Sequence, residues 1–333
     1  MVTIAAVEME SWERPIFKRN MAPHKVLFVD GLLTPKSASQ IKSADILVTF
    51  IHSRIDKAIL SKLPKLSYIA TMSTGYDHID LAYCKKHKIK VSNVPFYGEN
   101  TVAEHTMGLI LAIARKLPQS IERTRKGDFS LDNLRGFDLK GKTLGVVGGG
   151  HIGLHVVRMA RGFEMEVLVS DPHEDKTLAK RLGFTYANLN TLLKASDIIT
   201  LHVPLNKYTE HMINKDNLKK VKKGAMLINT SRGGVVDTEA LLYALDNGTI
   251  SFAGLDVLEG EFEIKEERQL ISSHFKTTCD LKTILQDHIL LKHKNVFITP
   301  HNAFNSEEAV RRILDTTIDN VKSFIAKKPM NVV

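Results

Sequence analysis

TLGVVGGGHIGLHVVRMARGFEMEVLVSD, Thr143 to Asp171, is the stretch on which the reading of this chain turns. Leu144, Val146 and Val147 form an apolar run too short for a helix and suited to a buried strand. Gly148, Gly150 and Gly153 follow in the spacing G-x-G-x-x-G, and Val156, Val157, Met159, Ala160 and Phe163 then recur at roughly helical intervals. A second apolar run, Val167–Val169, ends at Asp171. Glycine-rich turns are common, but here strand, turn, helix, strand and acid stand in the order a dinucleotide site requires. The glycines let the backbone turn sharply and let a pyrophosphate approach the helix N-terminus, where free N–H groups and the dipole favour an anion. Asp171, 18 residues beyond Gly153, is placed to accept ribose hydroxyls. Its charge would repel a 2′-phosphate, and no arginine follows in Pro172-His173, so NAD is expected rather than NADP.

The bulk numbers fit a globular protein of two domains. The chain has 333 residues, 43% hydrophobic and 25% charged. Cys84 and Cys279 stand far apart, which offers no disulfide framework or thiolate metal site and suits a reducing cytoplasm. The longest apolar run, Leu109–Ala114, is far below a membrane span. Glu8, Glu10 and Glu13 stand where a secretory leader would carry bases. The net charge of +9 raises the question of nucleic acid. The lysines, however, are scattered or in short groups such as Lys219-Lys220-Val221-Lys222-Lys223, which read as solvated faces.

The first hundred residues alternate apolar runs (Val2–Val7, Val26–Val29, Ile46–Phe50, Tyr68–Ala70, Ile89–Val91) with helix-length polar segments such as Ser11–Asn20, Pro35–Lys42 and Asp56–Lys62. This argues for a parallel sheet covered by helices, without a glycine fingerprint of its own. Thr101–Leu117 reads as a helix apolar on nearly all sides, opened by a Thr101/Glu104 capping box and suited to burial between domains or subunits. Lys126–Lys142 reads as a connecting loop. After Asp171, strands are expected at Ile198–Leu201, Ala225–Ile228, Ser251–Leu255 and Val296–Thr299. A helix over Asp237–Asp246, capped by Asp237 and stopped at Gly248, lies between two of them. With the strands flanking the glycine turn, the second domain should have six. The final helix, Ser306–Lys327, should return to the first domain. The fold class expected is α/β with two doubly wound parallel-sheet domains: residues 1–101 plus 302–333 flavodoxin-like, and 102–301 a Rossmann domain.

Ligands of open parallel sheets bind beyond the carboxyl ends of the strands. In the second domain those ends carry the Gly148 turn, Asp171, His202-Val203-Pro204, Thr230-Ser231-Arg232, Asp256 and Pro300-His301. Chance explains any one of these placements but explains the set poorly. Arg232, before two glycines, offers a fork that fits a carboxylate bidentately, although a surface ion pair is the alternative. His301 has a side chain suited to proton transfer near neutrality, but it is one of 14 histidines. Glu261 could orient that imidazole and favour its charged form, but Glu259 and Glu263 lie within two residues and spacing does not choose among them. His151 and His155 are four apart without an evident third ligand, so no metal is expected.

The motifs VAEH (Val102–His105), GGGHIG (Gly148–Gly153), SDP (Ser170–Pro172), LHVPLN (Leu201–Asn206), NTSRGG (Asn229–Gly234), GLDV (Gly254–Val257) and TPHNAF (Thr299–Phe304) together resemble the D-isomer-specific 2-hydroxyacid dehydrogenases along nearly the whole chain. FSLDNLRGFDL (Phe129–Leu139) and Phe304 look like the D-lactate-type members. The resemblance implies Arg232 as binder of the substrate carboxylate and 2-oxo group, His301 as acid/base, and Glu261, five residues after Asp256, as its partner. Phe262 stands where many members have proline. Also implied are cofactor contacts from Gly148, Gly150, Gly153 and Asp171, from His151 and Ile152 over the pyrophosphate, and from His202, Val203, Pro204 and Thr209. Thr230 and Ser231 would lie along the cofactor, with Asp256 near the nicotinamide amide. The backbone of Gly75 and Tyr76 should hold the substrate carboxylate, and Phe50 and Tyr97 look like pocket residues.

The activity implied is reversible NADH-dependent reduction of a small, pyruvate-like 2-oxo acid to the D-2-hydroxy acid by a cytoplasmic homodimer, without nucleic-acid or membrane partners. The domains would close over the substrate to exclude water. Glyoxylate, hydroxypyruvate and bulkier 2-oxo acids are alternative substrates. A reading of another class, an NADH-sensing corepressor-like binding protein, is also compatible with the same motifs, although the chain lacks the long tails that would favour it. The segment Glu263–Lys292, longer than in many relatives, has no assigned role.

Overall fold

The computed structural model describes residues 1–261 and 281–333. Phe262, Glu263, Cys279 and most of the Glu263–Lys292 segment lie outside the described residues. The chain divides into two compact units, Met1–Gly98 with Asn305–Val333, and Glu99–Phe304.

The first unit is built on five parallel strands: β1 (Thr3–Val7), β2 (Lys25–Val29), β3 (Ile46–Thr49), β4 (Tyr68–Thr71) and β5 (Lys90–Ser92), in the order β2-β1-β3-β4-β5. β3 and β4 are buried along their whole length, as expected of short apolar runs covered on both faces. The expected helices Pro35–Lys42 and Asp56–Lys62 are shorter: Pro35–Ala38 continues as a 3₁₀ turn, and Lys57–Leu60 is capped by Asp56. The helix Glu307–Ile325, capped by Ser306, belongs to this unit. Phe324 stacks on Tyr68 at 4.1 Å, and the Tyr68 hydroxyl donates to the Asn320 carbonyl.

The second unit holds seven parallel strands: β6 (Thr143–Val147), β7 (Glu166–Ser170), β8 (Thr185–Tyr186), β9 (Ile198–Leu201), β10 (Ala225–Asn229), β11 (Ile250–Leu255) and β12 (Val296–Ile298). Their order is β12-β11-β10-β9-β6-β7-β8. Seven rather than six strands is a correction: β8 is a two-residue edge strand on β7, too short to show an apolar run. The order of strands reverses between β6 and β9, the crevice where such sheets take their ligands.

The apolar helix also differs from expectation. It runs Glu99–Ala114, starting upstream of Thr101, so Thr101 is a buried residue of the first turn rather than a cap. The Glu104 carboxylate instead accepts from the Asn100 side chain. Its apolar sides are covered within its own unit: Met107, Ile110, Ile113 and Ala114 pack in one core with Val156, Val157 and Ala160. Lys116, at φ +50°, then breaks the chain into a separate helix, Leu117–Arg125, with Pro118 in its first turn.

Candidate active site

The glycine turn is shaped by close backbone approaches. Gly148 ends β6 at φ +100°, and a Cβ there would lie 2.4 Å from the His202 carbonyl oxygen across the switch point. A Cβ on Gly153 would lie 2.0 Å from the Gly148 oxygen, so only glycine lets the helix His151–Gly162 sit against the turn. Gly150 caps this twelve-residue helix without a side-chain hydrogen bond, and nothing stands within 4 Å of where its Cβ would be. Asp171 follows β7; its Oδ2 accepts the Gly149 N–H at 2.7 Å and its Oδ1 the His173 N–H at 2.8 Å. An uncapped helix N-terminus with open space above it, beside a carboxylate, fits a dinucleotide.

The other expected cofactor residues divide by where their side chains turn. His151 is largely exposed at the helix start, and Ile152 is half-buried. His202 follows β9 with Nε2 2.9 Å from Thr200 Oγ1; its sealed Nδ1 has no hydrogen-bond partner among the described residues. Burial pushes its pKa down to about 3, so the ring stays neutral. Val203 and Pro204 follow it, partly open to solvent. Three hydroxyls expected near the cofactor are each hydrogen-bonded within the protein. Thr209 Oγ1 donates to the Pro204 carbonyl and accepts the Asn206 N–H, Thr230 Oγ1 meets Thr106 Oγ1 at 2.9 Å, and Ser231 Oγ donates to Asn229 Oδ1.

His301 and Glu261 come together. His301 Nδ1 lies 2.9 and 3.0 Å from the two carboxylate oxygens of Glu261, and both side chains are mostly buried. The three-way ambiguity among the acids is thereby settled for the two described. Glu261 faces His301, whereas Glu259 faces His211. His301 adopts the left-handed conformation at φ +54°, uncommon for a residue with a side chain.

Asp256 supports that turn. It is 2% exposed, and its carboxylate accepts the N–H groups of Asn302 (3.0 Å) and Ala303 (2.9 Å) and the Thr299 hydroxyl. The same hydroxyl lies 3.1 Å from His105 Nε2. Asp256 is therefore the anchor of the loop that carries His301, a task that strand-end position alone did not reveal. Arg232 leads a turn organised by Asn229, whose Nδ2 donates to the Arg232 carbonyl and whose Oδ1 accepts the Ser231 N–H. Asn229, Thr299 and His105 support the site's turns and His211 pairs with Glu259, and sequence reasoning left all four without a role. The first three lie in the motifs VAEH, NTSRGG and TPHNAF, which was the signal available for them.

In the first unit the four expected substrate residues follow the carboxyl ends of β3, β4 and β5. Phe50 meets the His52 ring edge-to-face at 5.2 Å, and His52 donates its N–H to Glu8 Oε2. The loop carrying Gly75 and Tyr76 is braced by Ser73 Oγ to the Gly75 carbonyl, Thr74 Oγ1 to the Val94 carbonyl and Asn93 Nδ2 to the Thr74 carbonyl. Tyr97 accepts from Arg312 Nε through its carbonyl.

Residues 107–303 match the family model described as D-isomer specific 2-hydroxyacid dehydrogenase, NAD binding domain. The chain is 35% identical over 301 residues to a D-lactate dehydrogenase of Escherichia coli, covering 89% of this chain and 88% of that one. It is 36% identical over 324 residues to a glyoxylate reductase of Thermococcus litoralis, covering 95% and 87%. The crystal structure of D-lactate dehydrogenase from Aquifex aeolicus complexed with NAD and lactic acid superposes with a TM-score of 0.87 at 36% identity, covering 98% of this chain and 96% of that one. On this fold, this glycine turn and these matches, the chain belongs to the D-isomer-specific 2-hydroxyacid dehydrogenase family and is an NAD-binding oxidoreductase.

Proposed function

We propose that this protein reduces a small, pyruvate-like 2-oxo acid to the D-2-hydroxy acid, reversibly, with Arg232, Glu261 and His301 as its catalytic residues. The observation that carries this reading is the grip of Glu261 on His301 Nδ1. With that atom engaged, Nε2 is the ring atom that transfers the proton to the substrate oxygen. Arg232 binds the carboxylate and 2-oxo group and polarises the carbonyl. NADH, when bound, supplies the hydride. Gly148, Gly150, His151, Ile152 and Gly153 hold its pyrophosphate, and Asp171 its ribose. His202 to Pro204, Thr209, Thr230 and Ser231 shape the cofactor's bed, and Asp256 acts near the nicotinamide. Gly75, Tyr76, Phe50 and Tyr97 are assigned to substrate binding.

We assign residues 1–101 and 302–333 to the substrate domain and 102–301 to the NAD domain, a division supported by the compact units described above. A homodimer is supported by Leu117, Ile121, Phe129 and Leu131, which are 45–82% exposed on and after the helix Leu117–Arg125. A cytoplasmic setting fits Cys84, which is a buried free thiol. No helix among the described residues is long and apolar enough to cross a membrane.

The test is NADH oxidation with pyruvate, glyoxylate, hydroxypyruvate and phenylpyruvate. Pyruvate should show the highest kcat/KM. A preference for glyoxylate or hydroxypyruvate would move the assignment within the family, and no turnover with any of the four would favour an NADH-binding regulatory module.

A further inference from the structure

Glu259, two residues before Glu261, makes a histidine pair of its own. Its Oε1 lies 2.5 Å from His211 Nε2, and its Oε2 accepts the hydroxyl of Thr238 at 2.7 Å and its N–H at 3.2 Å. The His211 side chain is 44% exposed and the Glu259 side chain 21%, so the pair lies at the solvent edge with its carboxylate the more enclosed partner. Partial burial works against a charged His211 ring, but the hydrogen bond and charge of Glu259, with Asp237 and Glu210 behind them, hold its pKa above the ordinary value.

The main chain of His211 faces a different partner. Its N–H donates to the Gly234 carbonyl at 2.8 Å, and Ile213 N–H donates to the Val235 carbonyl at 3.0 Å. Residue 211 is thus joined by its backbone to the turn that begins at Arg232, and by its ring to the segment Asp256–Glu261. Turn and segment also touch directly: a Cβ on Gly233 would lie 2.1 Å from the carbonyl carbon and oxygen of Leu258 and 2.4 Å from the Glu259 nitrogen. From another helix, Leu281–Lys292, Asp287 Oδ2 accepts the Gly260 N–H at 2.8 Å. Residues 259, 260 and 261 are therefore fastened to three different places.

We propose that His211 and Glu259 are positioning residues of the active site, whose pairing ties the Arg232 turn to the Glu261 segment and so keeps Glu261 aligned on His301. The proposal rests on the reductase reading. Glu259 is held on both oxygens, one by His211 and the other by Thr238, so the pair is braced from two elements. Its effect passes through Glu261: if the segment slackens, His301 loses both the orientation and the negative partner of its Nδ1 side. Outer partners that orient metal-ligating histidines typically cost about 10–100-fold when removed, and a loss of the same order is expected for a brace on Glu261.

The experiment compares His211→Ala, His211→Gln and Glu259→Gln in the full chain, each in the wild-type and the Glu261→Gln background. The two readouts are steady-state kinetics with the best 2-oxo acid and the low-field proton resonance of His301 Nδ1, identified by its loss in Glu261→Gln. His211→Ala should lower kcat about 10–100-fold while leaving the KM for NADH unchanged. In the Glu261→Gln background it should add less than about a twofold loss, since both changes act through the one contact of Glu261 with His301. His211→Gln, which keeps a donor for Glu259, should recover most of the activity. The His301 resonance should broaden or vanish in His211→Ala. Equal losses in both backgrounds, unchanged kcat, or a retained resonance would overturn the proposal. Should His211→Ala fail to fold, Glu259→Gln carries the same test with the same expected outcomes. If the unsubstituted protein turns over none of the acids, the reductase reading fails, and the resonance still decides whether His211 holds Glu261 in place.

Discussion

His301→Ala is expected to lower kcat for 2-oxo acid reduction by about 10²–10⁴-fold, the usual worth of a positioned acid/base. The reasoning starts from the ring's surroundings. One nitrogen is held by both oxygens of Glu261, and the backbone turn that presents the ring is pinned by Asp256 through two N–H groups. Alanine removes the proton donor but leaves that scaffold and the nucleotide turn in place. NADH binding, measured by its fluorescence, should therefore stay close to wild type. Replacing Glu261 by Gln should have a different signature. The amide keeps an acceptor within reach of Nδ1 but removes the second carboxylate oxygen, so the ring is still present and less firmly oriented. Glu261→Gln should therefore lower kcat by less than His301→Ala does, with the KM for NADH unchanged. A His301→Ala enzyme with near-wild-type kcat would remove this residue from the chemistry.

Gly233→Ala should damage both stability and turnover without touching any group that meets substrate. The added Cβ has no room, since the nearest atoms are the Leu258 carbonyl at 2.1 Å and the Glu259 nitrogen at 2.4 Å, all of them backbone. A flexible side chain could swing away from such a contact, but two main-chain segments must separate. Overpacking of this kind costs roughly 1–3 kcal/mol, and sometimes more. The separation falls between Arg232 and the segment ending at Glu261, and misplacing a reacting group by about 1 Å can cost 10²-fold in rate. Thermal melting and kcat/KM measured on the same sample should therefore both fall, the latter by about 10²-fold. A variant with normal melting and normal kcat/KM would show that the close approach is not maintained in solution.

Local periodicity failed in identifiable places. The strand Thr185–Tyr186 is too short to alternate, and exists because β7 offers an edge for it. Thr101 and Glu104 have the spacing of a capping box, but the helix begins upstream at Glu99, and Glu104 takes Asn100 as its partner. The helix Leu117–Arg125 was missed because it is mostly polar, yet its early Pro118 is a start signal that could have been read. The apolar sides of Glu99–Ala114 announced burial correctly. They did not say against what, and the answer is the helix after the glycine turn.

The sequence by itself determined the two parallel-sheet folds, the cofactor class and the family, because these rest on short-range order: an apolar run, a glycine spacing, and an acid at the end of the next strand. It also placed Arg232, Asp256 and His301 at strand ends, where parallel sheets gather their ligands. Only the tertiary structure decided which acid serves which histidine. Glu259 and Glu261 differ by two positions in the chain, and nothing local separates them. Their partners lie 48 and 40 residues away, and a hydrogen bond of about 3 Å exists only once the strands and loops between them have packed.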